Sequence, residues 1–477
     1  MKKTSLGYGT LYISVSSFIF IFSGYLINIW LGRFLGPDAY GAYGIIISLM
    51  TAINLTQTAG LPQAVAKFIA EDEKKADAVL KAGLVLQIGS TIGATILFLL
   101  LALPIAKLLK DVTLFPYLLS AAAVFPLYGI YSLYLNYYNG LHRFKTQALL
   151  STIYAIAKLI AVVVLVYFFH LYGAIFGFII APFVALLFKF HIPKGTIYHF
   201  SYKKIILFSL PLIGVAIFSN LLQSIDLFFV KALLHSDKST GFYTANQNIA
   251  EIPFYGVAAL ASVLFPSISR HVSQKLTTET KNLITKSLRF SLLIITPSIL
   301  LISATSFQIL QLFYSSAYTQ GAQALAILAI GNGFFTLLVI LMTIISGSGS
   351  PLKSSILAGI GLIISSVLCI FLIPHFGIVG AAVSTSLAMF IIMICASVVV
   401  YKKFTVLFNP KSAIKILAAS LIIYVLAKII ILPVLLLPVL YIFLFAVYLG
   451  MLFLLGEITD EDIALPKSFV PNFFKRK

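Results

Sequence analysis

The sequence predicts an all-α polytopic membrane protein of about fourteen transmembrane helices: two six-helix lobes arranged as a parallel repeat, then a C-terminal helix pair. Three observations predict it. The 477-residue chain is 60% hydrophobic and only 10% charged, with a mean hydropathy of +1.06, whereas a soluble domain carries about 25% charged residues. Apolar runs of helical-span length, about 20 residues, recur from end to end. The alternating segments of a β-barrel, ~10 residues each, do not appear in the pattern.

Taken in order, the spans fall at 10–33, 40–62, 80–105, 114–138, 146–169, 172–189, 205–231, 243–266, 288–312, 320–346, 354–374, 377–400, 412–430 and 433–455. They divide the chain into an N-lobe over 1–189, a cytoplasmic linker over 190–204, a C-lobe over 205–403, the added pair over 404–456 and a cytoplasmic tail over 457–477. No span shows the short apolar core and small-residue site of a cleaved signal peptide, so the first helix is expected to stay. Cys369 and Cys395 both lie inside apolar runs without metal-ligand spacing and read as buried small hydrophobes.

The net charge of +19 has to be placed before it is interpreted. With the N-terminus in the cytoplasm, 26 of the 33 lysines and arginines fall on the cytoplasmic side. Six fall outside (Arg33, Lys107, Lys110, Lys231, Lys238 and Lys428), and Lys158 lies mid-span. This is a strong positive-inside bias, with both termini cytoplasmic in a cell membrane. The charge serves topology, and nucleic acid is not an expected partner. The longest stretches between spans have no room for a soluble catalytic domain.

An internal repeat runs through the first twelve spans. "GPDAYGAYGIIISL" (36–49) faces "SDKSTGFYTANQNI" (236–249), matching Gly41 and Tyr43 with Gly241 and Tyr243. "GLPQAVAKF" faces "LFPSISRHV", Pro62 against Pro266, each followed by a base, Lys67 or Arg270. "YNGLHRFK" and "GSGSPLK" follow spans 4 and 10, and "YGAIFG" (172–177) and "FGIVGA" (376–381) open spans 6 and 12. Each half holds an even number of spans, so both have the same orientation. Such a parallel repeat suits alternating access around a site between like halves.

Polar residues inside the spans are the candidate site. Of 14 acids, only Asp226 and Glu251 fall within spans. A charge at mid-bilayer costs about 2.5–3.5 kcal/mol on insertion scales and faces a cavity or a partner. Each acid therefore reads either as an ion-coupling group for H+ or Na+, or as half of a structural ion pair such as Asp226–Lys231. Asn248 and Pro253 flank Glu251, and Gln223 shares the helical face of Asp226. Lys158 lies about twelve residues from either end of span 5, too deep for easy snorkelling, so polar surroundings are expected. Arg33 sits beside Trp30 at the end of span 1, where an interfacial anchor is the alternative; Arg289 lies nearer the cytoplasmic interface. The first half adds Asn28, Asn54, Thr56 and Gln57. Bases among hydrogen-bonding groups suit a large anionic ligand, since Arg and Lys pair with phosphate oxygens. The sequence holds no GxxxxGK[ST] and no HExxH, so neither an ATP-driven pump nor an enzyme is expected, and no cofactor.

The run "LGRFLGPDAYGAY", the later "GLPQAVAKF" and "IPHFGIVGAAVSTSLA" together resemble the polysaccharide transporter (flippase) family of the multidrug/oligosaccharidyl-lipid/polysaccharide exporter superfamily. The resemblance implies a V-shaped pair of lobes. It also implies export of an isoprenoid pyrophosphate-linked oligosaccharide to the outer leaflet, driven by ions or membrane potential. Under it, Lys158, Arg33, Arg289 and Lys67 would be cavity bases for the substrate. Asp226, Glu251, Asn248, Gln223, Asn28 and Gln57 would be coupling or cavity polar groups. Expected partners are the lipid-linked glycan, membrane lipids and glycan polymerase or ligase machinery, with the chain itself a monomer. The competing readings are a cation-coupled multidrug or metabolite antiporter of the same superfamily and a lipid II flippase.

Overall fold

The computed structural model describes residues 6–191, 193, 200–430 and 432–458. Residues 192 and 194–199 of the expected 190–204 linker and the tail from Thr459 onward lie outside the described residues. All regular structure among the described residues is helical. The helices are α1 (Leu6–Ala59), α2 (Leu61–Glu71), α3 (Ala76–Leu108), α4 (Phe115–Ala121), α5 (Val124–Gly140), α6 (Phe144–Lys189), α7 (Tyr202–Leu234) and α8 (Asp237–Ala250). There follow α9 (Ile252–Ser273), α10 (Thr277–Ala304), α11 (Ser306–Phe313), α12 (Ala322–Gly347), α13 (Pro351–Phe404), α14 (Pro410–Ile429) and α15 (Leu437–Leu454).

Ten helical segments among the described residues are long and apolar enough to cross a bilayer, and one bent pair, Asp237–Ala258 with Val263–Ser273, makes an eleventh. Three of the ten are too long for one crossing. α1 and α13 each have 54 residues and α6 has 46, against about 20 for a ~30 Å hydrocarbon core. Each contains one residue with positive φ: Gly36 (φ 73°), His170 (φ 48°) and Gly377 (φ 58°). The chain reverses at each. The Tyr40 hydroxyl donates to Asn28 Oδ1 at 3.2 Å across the first break; twelve residues of straight helix would hold them about 18 Å apart. Gly173 packs against the backbone of Leu165 and Val166, and Gly380 against that of Leu372 and Ile373. Lys403 Nζ, near the end of α13, donates to the Ser348 carbonyl just before its start. These segments are therefore helical hairpins of two crossings each. With the bent pair, the described helices make as many crossings as hydropathy predicts, but not all ends agree: the span expected at 288–312 is α10 at Thr277–Ala304, and the one expected to end at 62 continues through α2 to Glu71.

The two hairpins at His170 and Gly377 are copies of one another at an offset of 207. His142 (φ 54°) and Gly349 (φ 89°), which precede these hairpins, share that offset. So do Gly173 and Gly380 together with the backbone each touches. The sequence motifs "YGAIFG" and "FGIVGA" pair instead at 204. The structure shifts that pairing by three residues, bringing Gly173–Ala174 onto Gly380–Ala381.

The chain forms two compact units: Met1–Ser224 with His235–Gly241, and Ile225–Leu234 with Phe242–Lys477. The first therefore extends past the expected lobe boundary at 189 and takes in the first part of α7. The cause is packing. Ile205 is buried with Leu61, Ala64 and Ala82, and Phe208 meets Phe68 edge-on at 6.0 Å. Within this unit α1 packs on α6, and α2 and α3 on α5. Its core is rich in tyrosine: Tyr131, Tyr134, Tyr137, Tyr138 and Tyr154 are buried together. The Tyr134 hydroxyl donates to the His191 carbonyl, and that of Tyr138 to the Lys189 carbonyl at 3.0 Å, tying the chain after α6 to α5. Gly41 and Gly241 mark a close helix crossing in the unit. A Cβ at Gly41 would overlap the Asp237 carbonyl, and one at Gly241 would overlap that of Pro37.

In the second unit α12 is central, packed against α9, α10 and α13, while α14 and α15 lie on α10. The Tyr448 hydroxyl donates to the Leu293 carbonyl at 3.0 Å, and the hydroxyls of Thr305 and Tyr441 bond at 2.6 Å, fixing the final pair to that helix. Large apolar side chains cover the outside of both units, with Leu100 70%, Leu435 82% and Leu454 84% exposed. Helices this apolar all round are stable only in lipid or a large core. The protein is a multi-pass membrane protein.

Candidate functional site

Lys158 is placed at mid-span by the first hairpin after α5. Its side chain is 6% exposed. The expectation of polar surroundings is overturned: its ammonium lies over three rings, Phe20 at 4.9 Å, Phe178 at 5.4 Å and Tyr154 at 5.5 Å. These rings come from α1 and the two arms of α6. A desolvated cation over an aromatic face gains about 2 kcal/mol or more, which offsets part of the cost of burying it. Tyr154 is itself held by Tyr131, stacked at 4.8 Å, and by Phe20 at 5.8 Å. An ammonium has three donors. Among the described residues, no carboxylate and no hydrogen-bond acceptor meets that of Lys158.

Of the other expected cavity bases, the two in the first unit, Arg33 and Lys67, are not gathered around Lys158. Arg33 is exposed at the end of the first arm of α1, beside the stacked pair Trp30–Phe34 (4.9 Å). Lys67 is 44% exposed, pairs with Glu71 at 3.7 Å and lies 4.2 Å above the Phe208 ring. An exposed pair of that kind contributes little. Arg289 is committed elsewhere. Its Nε donates to Glu457 Oε1 at 2.8 Å, and a second guanidinium nitrogen donates to the Glu457 carbonyl. Glu457 also accepts from the Ser412 hydroxyl and lies 3.9 Å from Lys415 Nζ. Arg289 thus clasps α10 to Glu457, just after α15, and its reading as a free cavity base is corrected to a structural ion pair.

Asp226 is 1% exposed and gathers donors from three spans. Oδ2 accepts from the Tyr243 hydroxyl at 2.6 Å and the Thr385 hydroxyl at 2.7 Å. Oδ1 accepts from Gln247 Nε2 at 2.9 Å and the Leu227 amide at 2.8 Å. Tyr243 and Gln247 share a face of α8 because they are four residues apart. Thr385 comes from the second arm of α13, past the hairpin turn. The sequence reading missed all three. Tyr243 stood in the repeat motif, and Thr385 in "IPHFGIVGAAVSTSLA", but neither carried a polar signal strong enough to single it out.

Glu251 sits at the break between α8 and α9, partly buried, with Pro253 in the first turn of α9. Asn248 bonds the Thr244 carbonyl of its own helix at 2.9 Å. Gln223 lies partly buried on the part of α7 that belongs to the first unit.

A second polar cluster lies inside the first unit. Gln57, 2% exposed, accepts from Gln87 Nε2 at 3.2 Å through both its carbonyl and its Oε1. The Ser90 hydroxyl also donates to Oε1 at 3.2 Å. Gln87 Oε1 and Asn54 Oδ1 are buried without a hydrogen-bond partner. Asn28 serves the α1 hairpin through Tyr40 and the Gly24 carbonyl. Among the described residues no three His, Cys, Asp or Glu side chains group as metal ligands.

Residues 6–272 match the family model described as Polysaccharide biosynthesis protein. One curated relative is the "Probable low-salt glycan biosynthesis flippase Agl15" of Haloferax volcanii, 28% identical over 31% of this chain and 31% of that protein. The curated relatives are matched over only 28–36% of their own length. Among solved structures, the lipid II flippase MurJ in its inward closed conformation superposes with a TM-score of 0.77. It shares 17% identity, over 93% of this chain and 98% of that one. An inward-facing multidrug resistance transporter of the MATE family has a TM-score of 0.71 at 14% identity, over 83% of this chain and 98% of that one. At these identities the superpositions establish a shared fold.

Proposed function

This chain belongs to the polysaccharide biosynthesis protein family, and from that premise we propose that it is a flippase carrying a lipid-linked oligosaccharide from the cytoplasmic to the outer leaflet. The substrate class is an isoprenoid pyrophosphate-linked glycan, and alternating access of the two like halves is the transport cycle. The observation that carries the reading is Lys158. A buried ammonium, oriented by Phe20, Tyr154 and Phe178 and met by no acceptor among the described residues, is suited to an incoming phosphate oxygen. A charge-assisted hydrogen bond made in a low-dielectric site is strong, and the cage spares the substrate the work of ordering the base. Asp226 is our choice for the coupling group: a buried carboxylate on α7, set among polar side chains of α8 and α13, can exchange a proton or Na+ as its donors rearrange.

The reading is tested in proteoliposomes holding a fluorescent isoprenoid pyrophosphate glycan. Lys158→Ala should lower the flipping rate at least about tenfold, the effect of losing one charge-assisted bond. Lys158→Arg, which keeps the charge, should restore part of it. A Lys158→Ala protein that is folded and flips at the wild-type rate removes the basis of the proposal.

A further inference from the structure

We propose that a pocket at the ends of α12 and α13 binds the phosphate headgroup of an anionic lipid. The pocket encloses about 340 Å³ and is lined by Ser348, Ser350, Lys353, Lys402 and Lys403 over an apolar floor that includes Val400. That volume lies within the range of ligand pockets, about 300–1,000 Å³. It belongs wholly to the second unit, and its side of the membrane is the one that the lysine bias assigns to the cytoplasm.

The hairpin at Gly377 builds it. Lys353 opens the first arm of α13, and Lys402 and Lys403 close the second, so folding the helix back brings three cations to one place. Lys403 is held: its Nζ donates to the Ser348 carbonyl at 2.6 Å and hydroxyl at 2.9 Å. The positive φ of Gly349 (89°) turns the chain so that α13 begins beside the pocket. The first-turn amides of that helix add partial positive charge. A fourth ammonium, that of Lys281, bonds the Thr405 hydroxyl at 2.9 Å, next to Phe404 of the lining.

These charges lack an internal balance. No acid occurs between Glu279 and Glu457. Glu457 is taken up by Arg289, Lys415 and Ser412. Among the described residues none of the three pocket lysines meets a carboxylate. Nor does the duplication require them: 207 residues earlier stand Thr146, Gly195 and Thr196. Lysines that only set topology need neither a cavity nor a fixed partner. Basic pockets between helix ends at the cytoplasmic surface suit anionic lipid headgroups, and the apolar floor suits a ligand that arrives from the membrane.

The test is native mass spectrometry on the delipidated full chain in detergent, titrated with phosphatidylglycerol or phosphatidylcholine. Phosphatidylglycerol should bind, and the variant Lys353→Gln/Lys402→Gln/Lys403→Gln should lose at least about tenfold in its apparent affinity. Phosphatidylcholine binding should not change. A variant with the same charge loss at residues of the first unit, none of them lining the pocket, Lys145→Gln/Lys203→Gln/Lys204→Gln, should bind phosphatidylglycerol like the wild type. Equal losses in both triple variants would reduce the effect to bulk electrostatics and overturn the proposal. Displacement of the lipid by millimolar inorganic phosphate would make the site one for free phosphate and would also overturn it. If the pocket triple does not fold, Lys402→Gln alone, at an exposed side chain, should cost about fivefold, and no loss there sinks the idea.

Discussion

At the scale of residues, Asp226 and Lys158 show two ways of keeping a charge in a membrane. Asp226 is given donors, and Lys158 is given rings. The Asp226 arrangement makes a sharp prediction because four of its donors are identified. Thr385→Val keeps the shape and removes one bond to Oδ2. It should destabilise the protein by about 1–3 kcal/mol, the cost of leaving a buried polar group short of a partner, read as a lower thermal midpoint. Asp226→Asn keeps the size but cannot exchange a proton or bind Na+ as a carboxylate does. Flipping by Asp226→Asn should continue at a basal rate but no longer respond to an imposed pH or Na+ gradient. A response equal to the wild type would leave Asp226 with a structural role. The sequence exposed Asp226 because a lone acid in an apolar run is costly. It did not expose its partners, since Thr385 is 159 positions away and hydroxyls are common in such helices. The same distance hid the Arg289–Glu457 clasp, 168 residues apart, and the rings around Lys158, which look like ordinary lipid-facing residues in a linear reading.

At the scale of elements, the spans were legible and their reversals only partly so. Hydropathy sees where a crossing ends but not whether the backbone stays helical around the turn, which is why the hairpins α1, α6 and α13 each read as two separate spans. The repeat was legible through Gly41 and Gly241, whose backbones must approach closely, and less so at the later hairpins. There the position that takes positive φ is His170 in one half and Gly377 in the other, so no identity marks the equivalence. This asymmetry predicts opposite effects for two mutations. His170 has a Cβ in a conformation that glycine adopts freely, a strain of about 1–3 kcal/mol, and its side chain is exposed. His170→Gly should therefore stabilise the protein by about 1 kcal/mol after the loss of unfolded-state rigidity. Gly377→Ala should destabilise it by about 1–2 kcal/mol. Thermal unfolding in detergent measures both. A stabilising Gly377→Ala would show that the turn does not need its left-handed backbone.

At the scale of the whole molecule, the lysine bias assigns sidedness, and the hairpins make it testable at particular residues. Lys353 and Lys402 line one pocket although 49 positions of α13 separate them, so both ends of that segment lie on one face. A straight helix of that length would put them about 70 Å apart, on opposite faces. Single cysteines introduced at these positions in a Cys369→Ala/Cys395→Ala background should share one accessibility. If the bias of 26 bases to six reports orientation, both should react with a membrane-impermeant maleimide only after cells are permeabilised. Cysteines at Phe376, beside the hairpin turn, and at Lys110 and Lys238 should react in intact cells. Lys353 and Lys402 reacting from opposite sides would remove the hairpin, and with it the fourteen-crossing count and the lysine pocket. Reaction of all five positions with inverted sidedness would keep the fold and the pocket but move the lysines to the outer face, and with them the leaflet from which the lipid of the pocket is drawn.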